Sequence, residues 1–142
     1  MEKSEIRPSS NRLQPQPLFS VFQIGLSIHH FNKVSERRLG LSLVQWCVLK
    51  SLIDMPMCSA HALSSAVGVH PSTLTQTLKR LERKKRVYVT EDPKDSRRKL
   101  ITITREGKRA LDHAQPEMQS WESRLGRLKS ELQAVQSALS GG

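Results

Sequence analysis

Residues 59–83 read SAHALSSAVGVHPSTLTQTLKRLER, and two helical segments meet within them across a very short turn. Ser59 stands where an N-cap is needed, and Ala60–Val67 follows as a short helix. Gly68 can close that helix in the left-handed conformation without a Cβ penalty. Only Val69 and His70 precede Pro71, whose fixed φ and missing N–H suit the first turn of another helix. In that second helix Leu74, Leu78 and Leu81 fall on one side. At about 100° per residue, Ser72, Gln76, Lys79 and Arg83 fall opposite. Thr73, Thr75 and Arg80 lie on the flanks, and Glu82 lies nearer the buried side. A helix, a glycine-containing turn and a second helix make helix-turn-helix spacing. The outer face of the second helix suits DNA: hydroxyls, Lys and Arg reach phosphates, while Gln and Arg match adenine and guanine edges.

Upstream, Ser42 and Gln45 have capping-box spacing ahead of Trp46, Leu49, Leu52 and Ile53, the predicted buried face of a helix that Pro56 stops. Before it, Val21, Ile24, Ile28 and Phe31 recur at helical spacing from Leu18 onward, and Gly40 is placed to end that helix. Residues 1–17 are polar, with Pro8, Pro15 and Pro17, and are expected to form a flexible arm. Downstream, VYVT (87–90) and LITIT (100–104) read as two short strands. The segment 91–99 between them is longer than a two-residue hairpin turn, and Asp92-Pro93 suits the start of a type I turn. A long hairpin with a basic tip, directly after a helix of recognition type, is a wing.

The last third carries apolar residues at 111, 114, 118, 121, 125, 128, 132, 135 and 139. Spacings alternating between three and four make a heptad seam, with Pro116 and Gly126 as its weak points. A small domain offers little surface to cover so long a helix, so Leu111, Met118, Trp121, Leu125, Leu128, Leu132 and Val135 are expected to pair with a second copy. The division of this region into one helix or two stays open.

Charge points the same way. Lys and Arg number 23 against 13 Asp and Glu, a net charge of +10. Residues 79–105 hold eleven basic side chains and four acidic ones, the footprint expected for nucleic acid. No run approaches the roughly 18 apolar residues of a membrane helix. Without a signal-like apolar segment the expected location is cytoplasmic. No hydrolase motif, phosphate loop or paired carboxylate appears, so no enzyme activity is expected. The five histidines lack ligand spacing, so neither a metal nor a cofactor is expected. Cys47, beside Trp46, reads as an inert small hydrophobe. RNA binding lacks exposed stacking aromatics.

The segments LSLVQWCVLKSL (41–52), VGVHPSTLTQTLKRLERKKRV (67–87) and DPKDSRRKLITITREG (92–107) resemble the MarR (multiple antibiotic resistance regulator) family of winged helix-turn-helix transcription regulators. The resemblance spans roughly residues 20–125. It is most specific at the wing, where Asp-x-Arg precedes a short strand ending in Thr-x-x-Gly. It implies that Asp95 orients Arg97 into the minor groove, with Arg98 and Lys99 beside it. It also implies that Ser72, Thr73, Thr75 and Gln76 open a recognition helix in the major groove, continued by Lys79 and Arg80. A homodimer joined by N- and C-terminal helices is implied too. So is a repressor released by a small phenolic or apolar ligand, or by cysteine oxidation. Lys85 and Arg86 depart from the pattern, replacing the usual glycine and apolar residue. The helix must therefore close another way, and the added charge is expected to reach phosphates.

The expected fold is mainly α with a small β-hairpin wing. Residues 18–142 would form one winged helix-turn-helix domain, with a DNA-binding lobe at about 42–104 and dimerisation helices at about 18–39 and 105–139. The expected function is a dimeric, sequence-specific regulator of double-stranded DNA. The competing expectation is a dimeric protein-interaction module that touches nucleic acid only nonspecifically.

Overall fold

A computed structural model of the chain describes residues 16–141. Residues 1–15 of the expected arm lie outside that range, while Pro17 is the first residue of a helix. The elements run α1 (Pro17–Leu39), α2 (Leu43–Asp54), β1 (Cys58–Ser59), α3 (Ala60–Val67), α4 (Pro71–Arg83), β2 (Val87–Asp92), β3 (Asp95–Ile103), α5 (Arg105–Gly126) and α6 (Lys129–Ser140). The winged helix-turn-helix expected from the sequence is the fold observed.

The helix starts have chemical causes. Ser42 Oγ accepts from the Gln45 N–H and Gln45 Oε1 accepts from the Ser42 N–H, each at 3.2 Å, so the capping box closes. α1 adds a cap from outside, because Asn32 Oδ1 accepts from the Leu43 N–H at 2.6 Å. Ser59 caps α3 through the Ala62 N–H, and Gly68, at φ 82°, ends it. His70 caps α4, its Nδ1 accepting from the Ser72 N–H at 3.1 Å.

The end of α4 closes without glycine. Lys85 takes the left-handed position at φ 61°. The Arg86 N–H reaches Leu81 O and the Lys85 N–H reaches Glu82 O, both at 2.9 Å, the paired bonds of a Schellman motif. Arg86 is turned inward, away from the phosphate role expected of it. Its Nη1 donates to Gly40 O at 2.6 Å, and its Nε is buried without a partner.

The sheet is antiparallel in the order β1-β3-β2. Its strands run further than the apolar pattern suggests: pairing continues from Val87↔Ile103 to Asp92↔Asp95, with an irregularity at Glu91/Asp92. Pro93 and Lys94 alone therefore turn the chain, correcting the expectation of a longer loop. The opposite-charge pair Glu91↔Lys99 supports pairing where no apolar residues remain. The two-residue β1, pairing Cys58 with Ile101, had no signal of its own in the sequence.

The core is aliphatic. Val48, Leu49 and Leu52 of α2, Leu63 of α3, Leu74 and Leu81 of α4 and Ile101 of β3 are all buried. Ile53, expected inside, is exposed, and Val48 faces the core instead. Glu82 is exposed as well, although still off the outer face of α4. The heptad seam is not one helix. α5 carries Pro116 within it and ends at Gly126, and Leu128 N–H bonds back to Leu125 O before α6 begins. Among the described residues no helix is long and apolar enough to cross a membrane.

Candidate nucleic-acid interface

α4 presents Ser72, Thr73, Thr75, Gln76, Lys79 and Arg80 to solvent, while Leu74, Thr77, Leu78 and Leu81 anchor its other side. The hydroxyls are not equivalent. Ser72 Oγ lies 2.8 Å from His70 Nδ1. Thr75 Oγ1 donates to Pro71 O at 2.9 Å, so its proton is engaged and its lone pairs face outward. In that rotamer Thr75 offers an acceptor, which suits a base amino group better than a phosphate.

Arg80 is not a free cation. Its Nη1 lies 3.7 Å from Glu36 Oε1 on α1, and Glu36 Oε2 accepts from Gln45 Nε2 at 3.2 Å. Glu36 and Asn32 therefore stand beside the outer face of α4, a placement that their polar spacing within α1 does not announce.

The wing is built from local bonds. Lys94 N–H donates to Asp92 Oδ1 at 2.9 Å, making an Asx turn at the apex. Asp95 Oδ1 accepts from both the Arg97 backbone N–H at 3.1 Å and Arg97 Nε at 3.2 Å. One carboxylate oxygen thus fixes the root of a guanidinium whose side chain is 90% exposed, leaving both terminal amino groups outward. Lys99 Nζ lies 3.7 Å from Glu91, and Arg98 Nε lies 4.0 Å from Asp92. Pairing skips residues 96–98 between Lys99 and Asp95, and the two arginines are told apart by their partners, Arg97 held by Asp95 and Arg98 near Asp92. Lys94, at the apex, is a wing cation that the sequence reading missed, because its position follows only from the strand register.

Thr104 and Gly107 set the angle between wing and helices. Thr104 N–H donates to Arg86 O at 3.0 Å, and Thr104 Oγ1 donates to Lys85 O at 2.6 Å while accepting from the Gly107 N–H at 3.0 Å. A Cβ on Gly107 would collide with the Arg86 carbonyl oxygen and Ile103 Cγ1. The Thr-x-x-Gly pair is what lets α5 start directly against the end of α4.

Two further surfaces flank this interface. A cleft of about 400 Å³ opens between α1, α2 and the α3–α4 turn, lined by Gly25, Ile28, His29, Asn32, Val44 and Cys47 among others. Burial pushes the Cys47 thiol above its ordinary value, with Glu122 adding to the shift, and burial raises that of Cys58. The seam divides in two. Leu111, Ala114 and Met118 are buried in the chain's own core, and Trp121 stands edge-on to Phe31 at 5.3 Å between centroids. Leu125, Leu128, Leu132 and Val135 are exposed, as are Leu18, Phe19, Phe22 and Ile24 on α1.

A family model described as the MarR family matches residues 41–99. The transcriptional regulator HosA of Escherichia coli O111:H- is 34% identical over 96 residues, covering 67% of this chain and 71% of HosA. The S. aureus MepR–DNA complex superposes with a TM-score of 0.72 at 19% identity, over 90% of this chain and 96% of that one. The Streptomyces coelicolor PcaV regulator, solved with its natural ligand, gives a TM-score of 0.65 at 22% identity, over 98% of this chain and 94% of that one.

Proposed function

The chain belongs to the MarR family of transcription regulators, and from that premise we propose that it acts as a homodimeric, sequence-specific repressor on double-stranded DNA. The observation that carries the proposal is the wing. Asp95 holds the root of Arg97 and leaves its outer nitrogens free at the end of a hairpin that springs from the end of α4. Arginine so displayed fits a narrow, strongly negative minor groove. Ser72, Thr73, Thr75 and Gln76 lead α4 into the major groove, Lys79 and Arg80 follow, and Arg98, Lys99 and Lys94 reach flanking phosphates. The DNA-bound MepR supports this reading as a relative of the same fold.

Pairing through the exposed parts of α1, α5 and α6 would set two copies of α4 into successive major grooves. Trp121, Leu125, Leu128, Leu132 and Val135 belong to that contact. Leu111 and Met118 support it from within the core. The apolar cleft beside α1, about 400 Å³, falls in the size range of small-molecule sites, about 300–1,000 Å³, and would seat a phenolic or apolar effector; PcaV is a relative of the same fold solved with a natural ligand. The raised thiol values of Cys47 and Cys58 disfavour release by oxidation.

A gel-shift on the promoter of the protein's own gene, with scrambled DNA as competitor, tests the proposal. Retention of the shift against scrambled competitor is expected. Equal competition by scrambled DNA would favour a protein-interaction module with only nonspecific affinity.

A further inference from the structure

Resting on that reading, we infer that Glu36 is a specificity-determining residue that restrains Arg80 and so suppresses indiscriminate binding to DNA. Three elements meet at this carboxylate. Glu36 comes from α1, Gln45 from the capping box of α2, and Arg80 from α4. Gln45 is buried and locked, since its Oε1 accepts from the Ser42 N–H while its Nε2 donates to Glu36 Oε2. The carboxylate is thus held in place before Arg80 approaches its other oxygen at 3.7 Å. The pair forms a partition between two polar cavities. One, of about 150 Å³, borders Thr73 and Gln76 on the outer face of α4. The other, of about 240 Å³, is lined by Arg83, Lys84 and Arg86. Glu36 is the sole carboxylate lining either cavity among the described residues, and it faces Arg80, the one α4 cation that lines the same cavity as Gln76.

A nonspecific complex is held by whichever cations reach phosphates, and each such contact releases counterions. Arg80 can join that pool only by leaving Glu36. The specific complex is positioned by Ser72–Gln76 and the wing, so it depends less on that release. Arg80 and Glu36 are both partly exposed, with side chains 60% and 38% accessible, and an exposed pair shifts an equilibrium by at most about fivefold.

The test is a fluorescence-anisotropy titration of a random-sequence duplex at several salt concentrations, using the full chain and Glu36→Gln, each with and without Arg80→Ala. Glutamine keeps an acceptor for Gln45 while removing the charge. Glu36→Gln is expected to bind random duplex about two- to fivefold tighter, with the salt slope steepened by about 0.9. The gain should vanish in the Arg80→Ala background, and affinity for a selected operator should change less than affinity for random duplex. An unchanged slope would overturn the inference. So would a gain that persists without Arg80, because that would be general charge repulsion. Circular dichroism melts of all four proteins separate a folding defect from a binding effect. If the unmodified chain failed to prefer its operator, the DNA-regulator reading would fall by itself, whereas the Glu36 effect is read on random duplex.

Discussion

Arg97 shows how a single residue gains a role from its neighbours. It carries the same charge as Arg98, but Asp95 grips its Nε and backbone N–H, whereas Arg98 only approaches Asp92, at 4.0 Å. Arg97→Ala should weaken DNA binding across sequences and lower the salt slope by about 0.9 in anisotropy titrations, as loss of one phosphate-type contact requires. Gln76→Ala should behave differently and relax preference at one base position in a selection experiment, since an amide reads an edge instead of a charge. The cysteines make a third case. Burial raises both thiols, so at neutral pH they remain protonated. Iodoacetamide should alkylate them more slowly than a free thiol, with the rate climbing as pH rises toward their raised values. Labelling at neutral pH as fast as a free thiol would contradict this partly buried placement.

At the scale of elements, the wing is only as well placed as its base. Lys85 in the left-handed region costs about 1–2 kcal/mol against a glycine-free backbone well, part of which glycine's extra chain entropy would offset. Lys85→Gly should therefore stabilise the protein by about 0.5–1 kcal/mol, read from denaturant unfolding. Gly107→Ala should act in the opposite sense. Its methyl group would strike the Arg86 carbonyl oxygen, a backbone atom that cannot move alone, and an overpacked site of this kind costs about 1–3 kcal/mol. The elements themselves were largely legible because their ends obey short-range chemistry: Ser42 with Gln45, Ser59, Gly68 and Pro71 each mark a boundary by local bonding or fixed φ. What stayed hidden depends on distant partners. β1 exists only through Ile101 and Leu100, the outer halves of β2 and β3 through each other, and the buried place of Arg86 through Gly40. The solvent-facing side chains of α4 were readable from helical periodicity, but the approach of Glu36 to Arg80 required the packing of α1.

For the whole molecule, the single chain leaves one surface unfinished. Its core ends at Met118, and beyond it α6 buries no residue while Leu125, Leu128, Leu132 and Val135 stand open. Changing Leu128 and Leu132 together to Asp should leave the lobe folded, because neither side chain contributes to its core. The same change should halve the mass seen by sedimentation equilibrium, from dimer to monomer. A dimer would also explain why the seam outlasts the surface of one domain. On the proposed dimer, two copies of α4 and two wings would read a two-fold DNA site. Selection of bound duplexes from a random pool, sequenced at two salt concentrations, tests it most directly. An inverted repeat is expected, with half-sites about one helical turn, about 10–10.5 base pairs, apart that persist at the higher salt. A pool that stays random, or whose binding disappears uniformly as salt rises, would contradict it.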